Sequence, residues 1–154
     1  MKSPITREGY ENLKKEHEYL LTNKRPKIIL AIEEARAHGD ISENAELDAA
    51  KEEYQFLQKK IAEIEMMITN SEVVDVKKID GENVEFGCNI TLMNLDTDEE
   101  VAYQLVGPYE SDIQKGKISM SSPLGRALMG KSVGDEVNFS APGGKRTYEI
   151  VKIV

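Results

Sequence analysis

Apolar residues recur at helical spacing through the first 70 residues of the chain. Steps of three and four connect positions from Tyr10 to Ala35, and a cleaner series follows in the next stretch. That second series comprises Leu47, Ala50, Tyr54, Leu57, Ile61, Ile64 and Ile68. An apolar stripe this narrow is typical of a helix that packs against one other helix. We therefore predict two long helices that fold back as an antiparallel coiled-coil hairpin.

Capping residues indicate where these helices begin and end. Thr6 is the expected N-cap of the first helix, because its hydroxyl can accept an orphan backbone N–H, and Gly39 ends that helix by allowing a positive φ. Pro26 removes a backbone hydrogen bond inside the helix, at about 3 kcal/mol, so we expect a kink or short break beside it. Asp40 and Glu43 have the spacing of a capping box for the second helix. About 30 residues at 1.5 Å each predict an arm of roughly 45 Å.

Beyond residue 72 the pattern changes to short stretches rich in Val, Ile, Thr, Tyr and Phe, several of which alternate with period two. The strands predicted there are 72–76, 83–86, 89–95, 101–106, 136–140 and 147–154. One short helix is predicted at 124–129, since Ser122 and Pro123 supply its cap and first residue and Gly130 follows its end. The predicted fold class is α+β, with the hairpin in residues 1–72 and a β-rich domain with one short helix in residues 73–154.

Composition and charge narrow the classes of function. A net charge of −8 argues against a protein that grips nucleic acid directly through a basic face, so any such contact is expected through a partner. No apolar run is long enough for a signal peptide or a membrane span. The single cysteine, Cys88, cannot form an internal disulfide, which fits a reducing compartment. We therefore expect a cytoplasmic protein that does not associate with membranes.

The stretch between the two predicted helices is strongly acidic. Residues 33–53 contain eight carboxylates against two bases, Arg36 and Lys51. The acids are Glu33, Glu34, Asp40, Glu43, Glu46, Asp48, Glu52 and Glu53. Carboxylates three positions apart across a helix start, such as Asp40 and Glu43, can converge on one point, and Mg²⁺ commonly takes only one or two protein carboxylates. The capping box explains the same spacing, so a structural role and a metal-directed role both stay open.

The acidic stretch resembles the tip of the bacterial transcript cleavage factors of the Gre family. The most specific match is ARAHGDISENAE at residues 35–46, followed by AAKE at 49–52. The resemblance covers nearly the whole chain, and further matches are Thr6-x-x-Gly9, Arg25-Pro26, Phe86-Gly87, Val106-Gly107, Ile118-Ser119, Ser122-Pro123, Gly130-Lys131 and Gly134-Asp135. Residues 94–100 and 142–144 resemble the branch of the family without a large basic patch on the hairpin, and the acidic net charge agrees.

The resemblance implies that RNA polymerase is the partner and that the hairpin enters its secondary channel. Asp40 and Glu43 would be the catalytic pair, which helps to hold Mg²⁺ and its water in the polymerase active centre while the polymerase cleaves its own backtracked transcript. Ile41 and Glu46 would support them at the tip. The factor would then be no enzyme, would have no cofactor of its own, and would meet the nascent RNA 3′ end and DNA only within the elongation complex. We expect a monomer.

The resemblance also assigns basic and docking residues. Arg36 and Lys51 match a small basic spot that faces the extruded RNA, with salt bridges to neighbouring acids as the alternative. The β-rich domain would have an FKBP-like fold and dock at the rim of the channel. The expected docking residues, in a stretch that also fits a strand leading into a helix cap, are Ile118, Ser119, Ser121, Ser122 and Pro123.

Two other functions stay open. A Gre-like regulator would bind the same channel and inhibit the polymerase or antagonise cleavage factors, although both tip acids count against it. A prolyl isomerase or chaperone with a coiled-coil dimerisation arm is the other candidate. Three Phe and no Trp leave little to line its pocket, and similarity of fold alone does not confer that activity.

Overall fold

The structure is a computed structural model that describes residues 2–39, 44–75 and 81–154. Its contacts divide the chain into two units, Met1–Gly9 with Ser71–Val154 and Tyr10–Asn70. We call these the β-rich unit and the hairpin unit. The α+β class, with a helical hairpin and a β-rich part that carries one short helix, is confirmed. The predicted division after residue 72 did not anticipate that the N-terminal segment groups with the β-rich unit.

The hairpin unit is built from two antiparallel helical stretches. Helix α1 (Arg7–Tyr19), a π-helical segment (Leu20–Lys24) and helix α2 (Arg25–Ala37) follow one another directly, and helix α3 (Ala45–Thr69) returns along them. Their shared core consists of Leu20, Ile28, Leu57, Ile61 and Ile64, flanked by Leu21, Ile32, Tyr54 and Ile68. We call this core the seam, and it confirms the predicted coiled-coil hairpin.

The lengths of these helices determine how far the hairpin reaches and whether any helix could cross a membrane. The 25 residues of α3 span about 37 Å, which is shorter than the roughly 45 Å expected from the sequence. In the part of the chain that the structure describes, no helix is both long and apolar enough to cross a membrane.

Pro26 is accommodated by a change from α-helical to π-helical hydrogen bonding just before it, and the helical stretch continues through it. Its nitrogen has no hydrogen to donate to Thr22, which lies four residues before it. The segment just before it is π-helical, so the N–H of Arg25 donates to the carbonyl of Leu20, five residues back. Lys24 and Arg25 both keep right-handed helical dihedral angles. The expected interruption is therefore a π-helical segment that begins at Leu20.

The helix ends confirm two predicted caps and correct a third. The hydroxyl of Thr6 accepts the backbone N–H of Gly9 at 3.1 Å, as an N-cap does. Gly39, with a φ of +113°, follows the end of α2. The predicted capping box of Asp40 is wrong for α3, because the N-cap is Asn44, whose Oδ1 accepts the N–H of Leu47 at 3.1 Å.

Two sheets make up the β-rich unit. Strands β1 (Ser3–Ile5) and β2 (Ser71–Val73) form a parallel pair. The larger sheet contains β3 (Asn89–Asn94), β4 (Glu100–Val106), β5 (Lys117–Ser119), β6 (Glu136–Ala141) and β7 (Gly144–Ile153). Its order is β5-β4-β3-β7-β6, with a parallel β4–β5 pair and antiparallel pairs elsewhere. The short helix α4 (Pro123–Leu128) is confirmed, with Ser122 as its N-cap.

One predicted strand, 83–86, is not formed. Asn83 makes only an isolated bridge to Ser132, while the side chain of Val84 is buried in the core with 1% exposure. The strand-like pattern there comes from the alternation of Val84 and Phe86 with the polar residues Asn83 and Glu85. Predicted strand 72–76 corresponds to β2, and its last residue lies outside the described residues.

The core of the β-rich unit lies between one face of the larger sheet and α4. Leu128 of α4 packs there with Ile90 and Leu92 of the central strand β3 and Ile150 of its neighbour β7, and all four are fully buried. Cys88 belongs to the same core. Burial raises the pKa of its thiol, so the side chain stays neutral and acts as a small apolar residue.

The N-terminal segment is attached to the β-rich unit through Glu110. The carboxylate of Glu110 accepts the backbone N–H of Thr6 at 2.6 Å, the hydroxyl of Thr6, and the N–H of Gly107 at 3.4 Å. Gly107 must be a glycine, because a Cβ there would lie 1.8 Å from the carbonyl oxygen of Pro4. The hydroxyl that caps α1 is thus also bonded to the β-rich unit.

Replacing Glu110 by Gln tests this attachment. The amide NH2 of Gln is a hydrogen-bond donor, so it would face groups that themselves donate to the carboxylate of Glu110. A hydrogen bond to a charged group contributes about 1.5–3 kcal/mol. We expect the free energy of unfolding to fall by about that amount in urea titrations followed by circular dichroism. The matched control is Glu136→Gln, which changes an exposed strand residue and should leave the stability within about 0.5 kcal/mol of wild type. Equal stability of the two variants would contradict the assignment.

Candidate functional site

We call the residues between α2 and α3, which include Asp40 and Glu43, the acidic segment. It lies in the sequence between two helix ends that the seam holds in one hairpin. Helix α2 ends at Ala37, and α3 begins at Ala45. The predicted catalytic residues Asp40 and Glu43, together with Ile41, lie outside the described residues. Their roles stay predictions, while the flanking residues can be placed.

Glu46, the predicted supporting acid, lies in the first turn of α3 beside His38. Its Oε2 is 3.4 Å from Nδ1 of His38, so the contact joins the first turn of α3 to the C-cap of α2. The two side chains are 72% and 68% exposed, and such a pair contributes little to stability. Glu46 is therefore close to the acidic segment and accessible to a partner.

The predicted basic residues flank the same segment from both helices. Arg36 is in the last turn of α2 and Lys51 is in α3, and both are exposed. The alternative role for them was a salt bridge to a neighbouring acid. Neither makes a salt bridge with another residue that the structure describes. Among the described residues, no acid pairs with these charges, so they are placed to meet an anionic partner next to the acidic segment.

No metal site is complete within the described part of the chain. Residues 2–39, 44–75 and 81–154 contain no group of three or more His, Cys, Asp or Glu side chains placed to hold an ion. The predicted ligands Asp40 and Glu43 offer hard carboxylate oxygens, a donor chemistry that fits Mg²⁺.

A cleft of about 520 Å³ opens in the β-rich unit. We call it the sheet cleft. Its aromatic side chains are Tyr103, Phe139 and Tyr148, and the last two rings stack with centroids 5.5 Å apart and an interplanar angle of 13°. Ile113, 69% exposed, lies at the cleft, and Leu124 adds a further apolar side chain. Three Phe and no Trp predict little lining for a proline-binding pocket; two of the three aromatic side chains of this cleft are tyrosines, and only Phe139 is a phenylalanine.

The charge of the sheet cleft is opposite to that of the whole chain. Among the described residues, those that line it include Lys117 and Arg146 and no carboxylate, whereas the chain carries a net charge of −8. Burial raises the pKa of Tyr103, so its hydroxyl is neutral and able to donate a hydrogen bond at physiological pH. The cleft thus combines apolar walls with cationic and neutral donor groups.

The predicted docking stretch forms one wall of the sheet cleft. Ser119, Ser122 and Pro123 line it, and so does Ile118, which is only 5% exposed and also belongs to the core. Ser121 is not among the lining residues. Further walls come from β4, β6 and β7, which sequence reasoning missed because no local pattern connects residues that only the sheet brings together.

Both parts of the chain match models of known protein families. The family model described as transcription elongation factor, GreA/GreB, C-term, matches residues 79–154, and the one described as transcription elongation factor, N-terminal, matches residues 3–73. Transcription elongation factor GreA of Chelativorans sp. (strain BNC1) is 50% identical over 99% of this chain and 97% of its own length. The GreA of Brucella anthropi is 49% identical over 97% of this chain and 96% of its own.

Among solved structures, the GreA factor homolog 1 (Gfh1) of Thermus thermophilus aligns with 100% of this chain and 99% of its own at 28% identity. The TM-score of this alignment is 0.45. On the family matches and the full-length relatives, the chain belongs to the GreA/GreB family of transcription elongation factors.

Ser122 holds the docking stretch in shape, which a substitution can test. Its hydroxyl accepts the N–H of Gly125 at 3.0 Å and donates to the carbonyl of Ser119 at 2.6 Å. Loss of an N-cap costs about 1 kcal/mol, so Ser122→Ala should lower the free energy of unfolding by about 1–2 kcal/mol. The control Ser121→Ala removes an exposed hydroxyl and should change stability by less than about 0.5 kcal/mol. A neutral Ser122→Ala would show that the cap does not stabilise this wall.

Proposed function

We propose that this protein binds RNA polymerase, inserts its hairpin into the secondary channel, and stimulates cleavage of backtracked nascent RNA so that arrested complexes resume elongation. It is an accessory factor in this proposal, and the nuclease active centre is that of the polymerase. The observation that supports this proposal most directly is the position of Asp40–Glu43 in the chain between two helices that the seam holds together. Helix α2 ends before these residues, and α3 begins after them. Membership of the GreA/GreB family supports the same function.

In this proposal Asp40 and Glu43 direct their carboxylates at the Mg²⁺ of the polymerase active centre. Mg²⁺ bound there would supply positive charge to the cleaved phosphodiester and lower the pKa of a bound water. The hairpin contributes position, because helices of fixed length set how far the acids reach. Arg36 and Lys51, exposed and unpaired among the described residues, would face the phosphates of the extruded RNA.

The sheet cleft supports a separate docking role. Apolar walls next to Lys117 and Arg146 suit a polymerase segment that presents an apolar side chain beside carboxylates, since complementary charge favours the encounter and fixes the register. Of the predicted docking stretch, Ser119, Ser122 and Pro123 would contact that segment. Binding through the cleft and action through the tip would then be separable by mutation.

A channel-binding regulator that inhibits the polymerase is the competing function. It would share the fold and the docking cleft, so binding alone does not distinguish the two. Addition of the protein to backtracked complexes does, because a cleavage factor shortens the RNA and releases a 3′ fragment, whereas an inhibitor leaves the RNA intact.

The tip is tested by the double variant Asp40→Asn, Glu43→Gln. Removing both charges should reduce the rate of transcript cleavage in halted complexes by on the order of 100-fold, since electrostatic groups at a reaction centre contribute on that scale. Polymerase affinity should stay near that of wild type. The control Asp48→Asn, Glu52→Gln makes the same charge change on the exposed face of α3 and should cleave normally. Unchanged cleavage by the tip variant would refute the mechanism.

The cleft is tested by Arg146→Glu. Reversal of this charge should weaken polymerase binding by about tenfold or more, most strongly at low salt, because an exposed charge at an interface acts on the rate of encounter. Cleavage at saturating protein should recover. Lys152→Glu is the matched control, as it reverses an exposed charge on the same strand, β7, away from the cleft. Equal affinities of the two variants, measured by fluorescence anisotropy, would rule out the cleft as the docking surface.

A further inference from the structure

Phe56 of α3 is the most exposed large apolar side chain among the described residues, with 72% exposure. The seam of α3 runs through its neighbour Leu57, which is only 4% exposed, so Phe56 does not help to join the two helical stretches. Single apolar side chains are common on protein surfaces, so the surroundings of Phe56 decide whether it has a role.

Phe56 borders a groove of about 280 Å³ on the hairpin unit, which we call the hairpin groove. Leu20 and Leu57 line it from the two helical stretches, and both are buried in the seam, so the groove has an apolar floor. Lys24 also lines it, so the π-helical segment Leu20–Lys24 forms one wall. Turns of π-helix within α-helices occur often at functional sites. The groove therefore combines an unusual backbone, an apolar floor and an exposed aromatic ring.

The rim of the hairpin groove carries charges of both signs. Its charged residues are exposed and make no salt bridge with another residue that the structure describes; they are Glu16, Lys24, Glu53 and Lys60. Two carboxylates beside two lysines do not suit the phosphates of RNA or of a lipid surface, which favour cations alone. An apolar centre with a polar rim is typical of a protein interface. The chemistry of the groove therefore indicates a protein partner.

The position of Phe56 along the hairpin identifies which protein lies within reach. Phe56 is 11 residues beyond Ala45, the first residue of α3, which places it about 16 Å along the helix from that end. In the proposed function this end of the hairpin is inserted into the secondary channel of RNA polymerase. The protein surface next to this part of α3 is then the wall of the channel.

We propose that Phe56 and the hairpin groove form a second polymerase-binding surface, separate from the sheet cleft, which takes up an apolar side chain of the channel wall between the ring of Phe56 and the floor of the groove. The inference rests on the proposed function and adds a contact to it. Phe56 is a binding residue that touches neither metal nor RNA. Because its distance from the start of α3 is fixed by the helix, this contact also holds the hairpin at one depth in the channel.

Substitutions of graded size test this surface. Phe56→Ala removes the ring, whereas Phe56→Leu keeps an apolar side chain of intermediate size. Neither change impairs the helix, because Ala and Leu are both strong helix formers. The matched control is Met66→Ala, which truncates another exposed apolar side chain of α3, 54% exposed and not among the residues that line the groove. All four proteins, wild type included, should have the same free energy of unfolding within about 0.5 kcal/mol.

Polymerase affinity, measured by fluorescence anisotropy at low and at high salt, is the readout. We expect Phe56→Ala to weaken binding by about tenfold or more, since a few buried aromatic anchors dominate protein interfaces, and Phe56→Leu to weaken it less. The factor should be nearly the same at both salt concentrations, unlike that of Arg146→Glu, because salt screens charges and not the burial of apolar surface. Met66→Ala should bind like wild type.

The inference is overturned if Phe56→Ala binds polymerase with wild-type affinity, and a changed sedimentation of that free variant would then show that the groove joins two copies of this chain. It is also overturned if the loss of affinity disappears at high salt or is matched by Met66→Ala. Failure of the wild-type protein to bind polymerase is a different result, which refutes the proposed function and this inference with it. Wild-type binding that Phe56→Ala leaves unchanged refutes the inference alone.

Discussion

The arrangement of the tip depends on the apolar seam between the first helical stretch and α3. Most of the stability of a helix in a protein comes from packing its apolar face, so each of these stretches is stabilised by burying its stripe against the other. Leu57, Ile61 and Ile64 are at most 5% exposed, and each buried side chain of this size contributes about 1.5–3 kcal/mol. The seam thereby places the end of α2 beside the start of α3. Every proposed action of the acidic segment requires that placement.

The two units carry opposite local charge, which matches the two tasks proposed for them. The hairpin unit ends in an acidic segment suited to a cation, whereas the sheet cleft offers Lys117 and Arg146 beside apolar walls. The net charge of −8 conceals the second feature, because a sum over the chain says nothing about one cleft. The net charge argues against a predominantly basic face for nucleic acid, and it says nothing about a small cationic site for a protein partner.

The sequence predicted those features that depend on local spacing. The seam, the Thr6 cap, Gly39 and the start of α4 all follow from patterns within a few residues of one another. The N-cap of α3 was misassigned because Asp40 and Asn44 are both good caps, and only the position of the first helical turn decides between them. Strand β1 is three residues long and shows no periodicity, and the cleft joins side chains from distant strands. Such features arise from tertiary contacts, which spacing does not encode.

The π-helical segment has a consequence for the register of the seam. The buried residues of the first helical stretch are Leu13, Leu20, Ile28 and Ala35, so their steps are seven, eight and seven. A π-helical turn holds one residue more than an α-helical turn, and the step of eight spans that segment. The π-helical segment therefore accommodates one extra residue in an otherwise regular heptad series. Pro26, which has no N–H to donate, is compatible with the same π-helical geometry. The extra residue and Pro26 therefore depend on each other. Deleting the extra residue alone would place Pro26 in an ordinary α-helix. Replacing Pro26 alone would leave the extra residue in the heptad series.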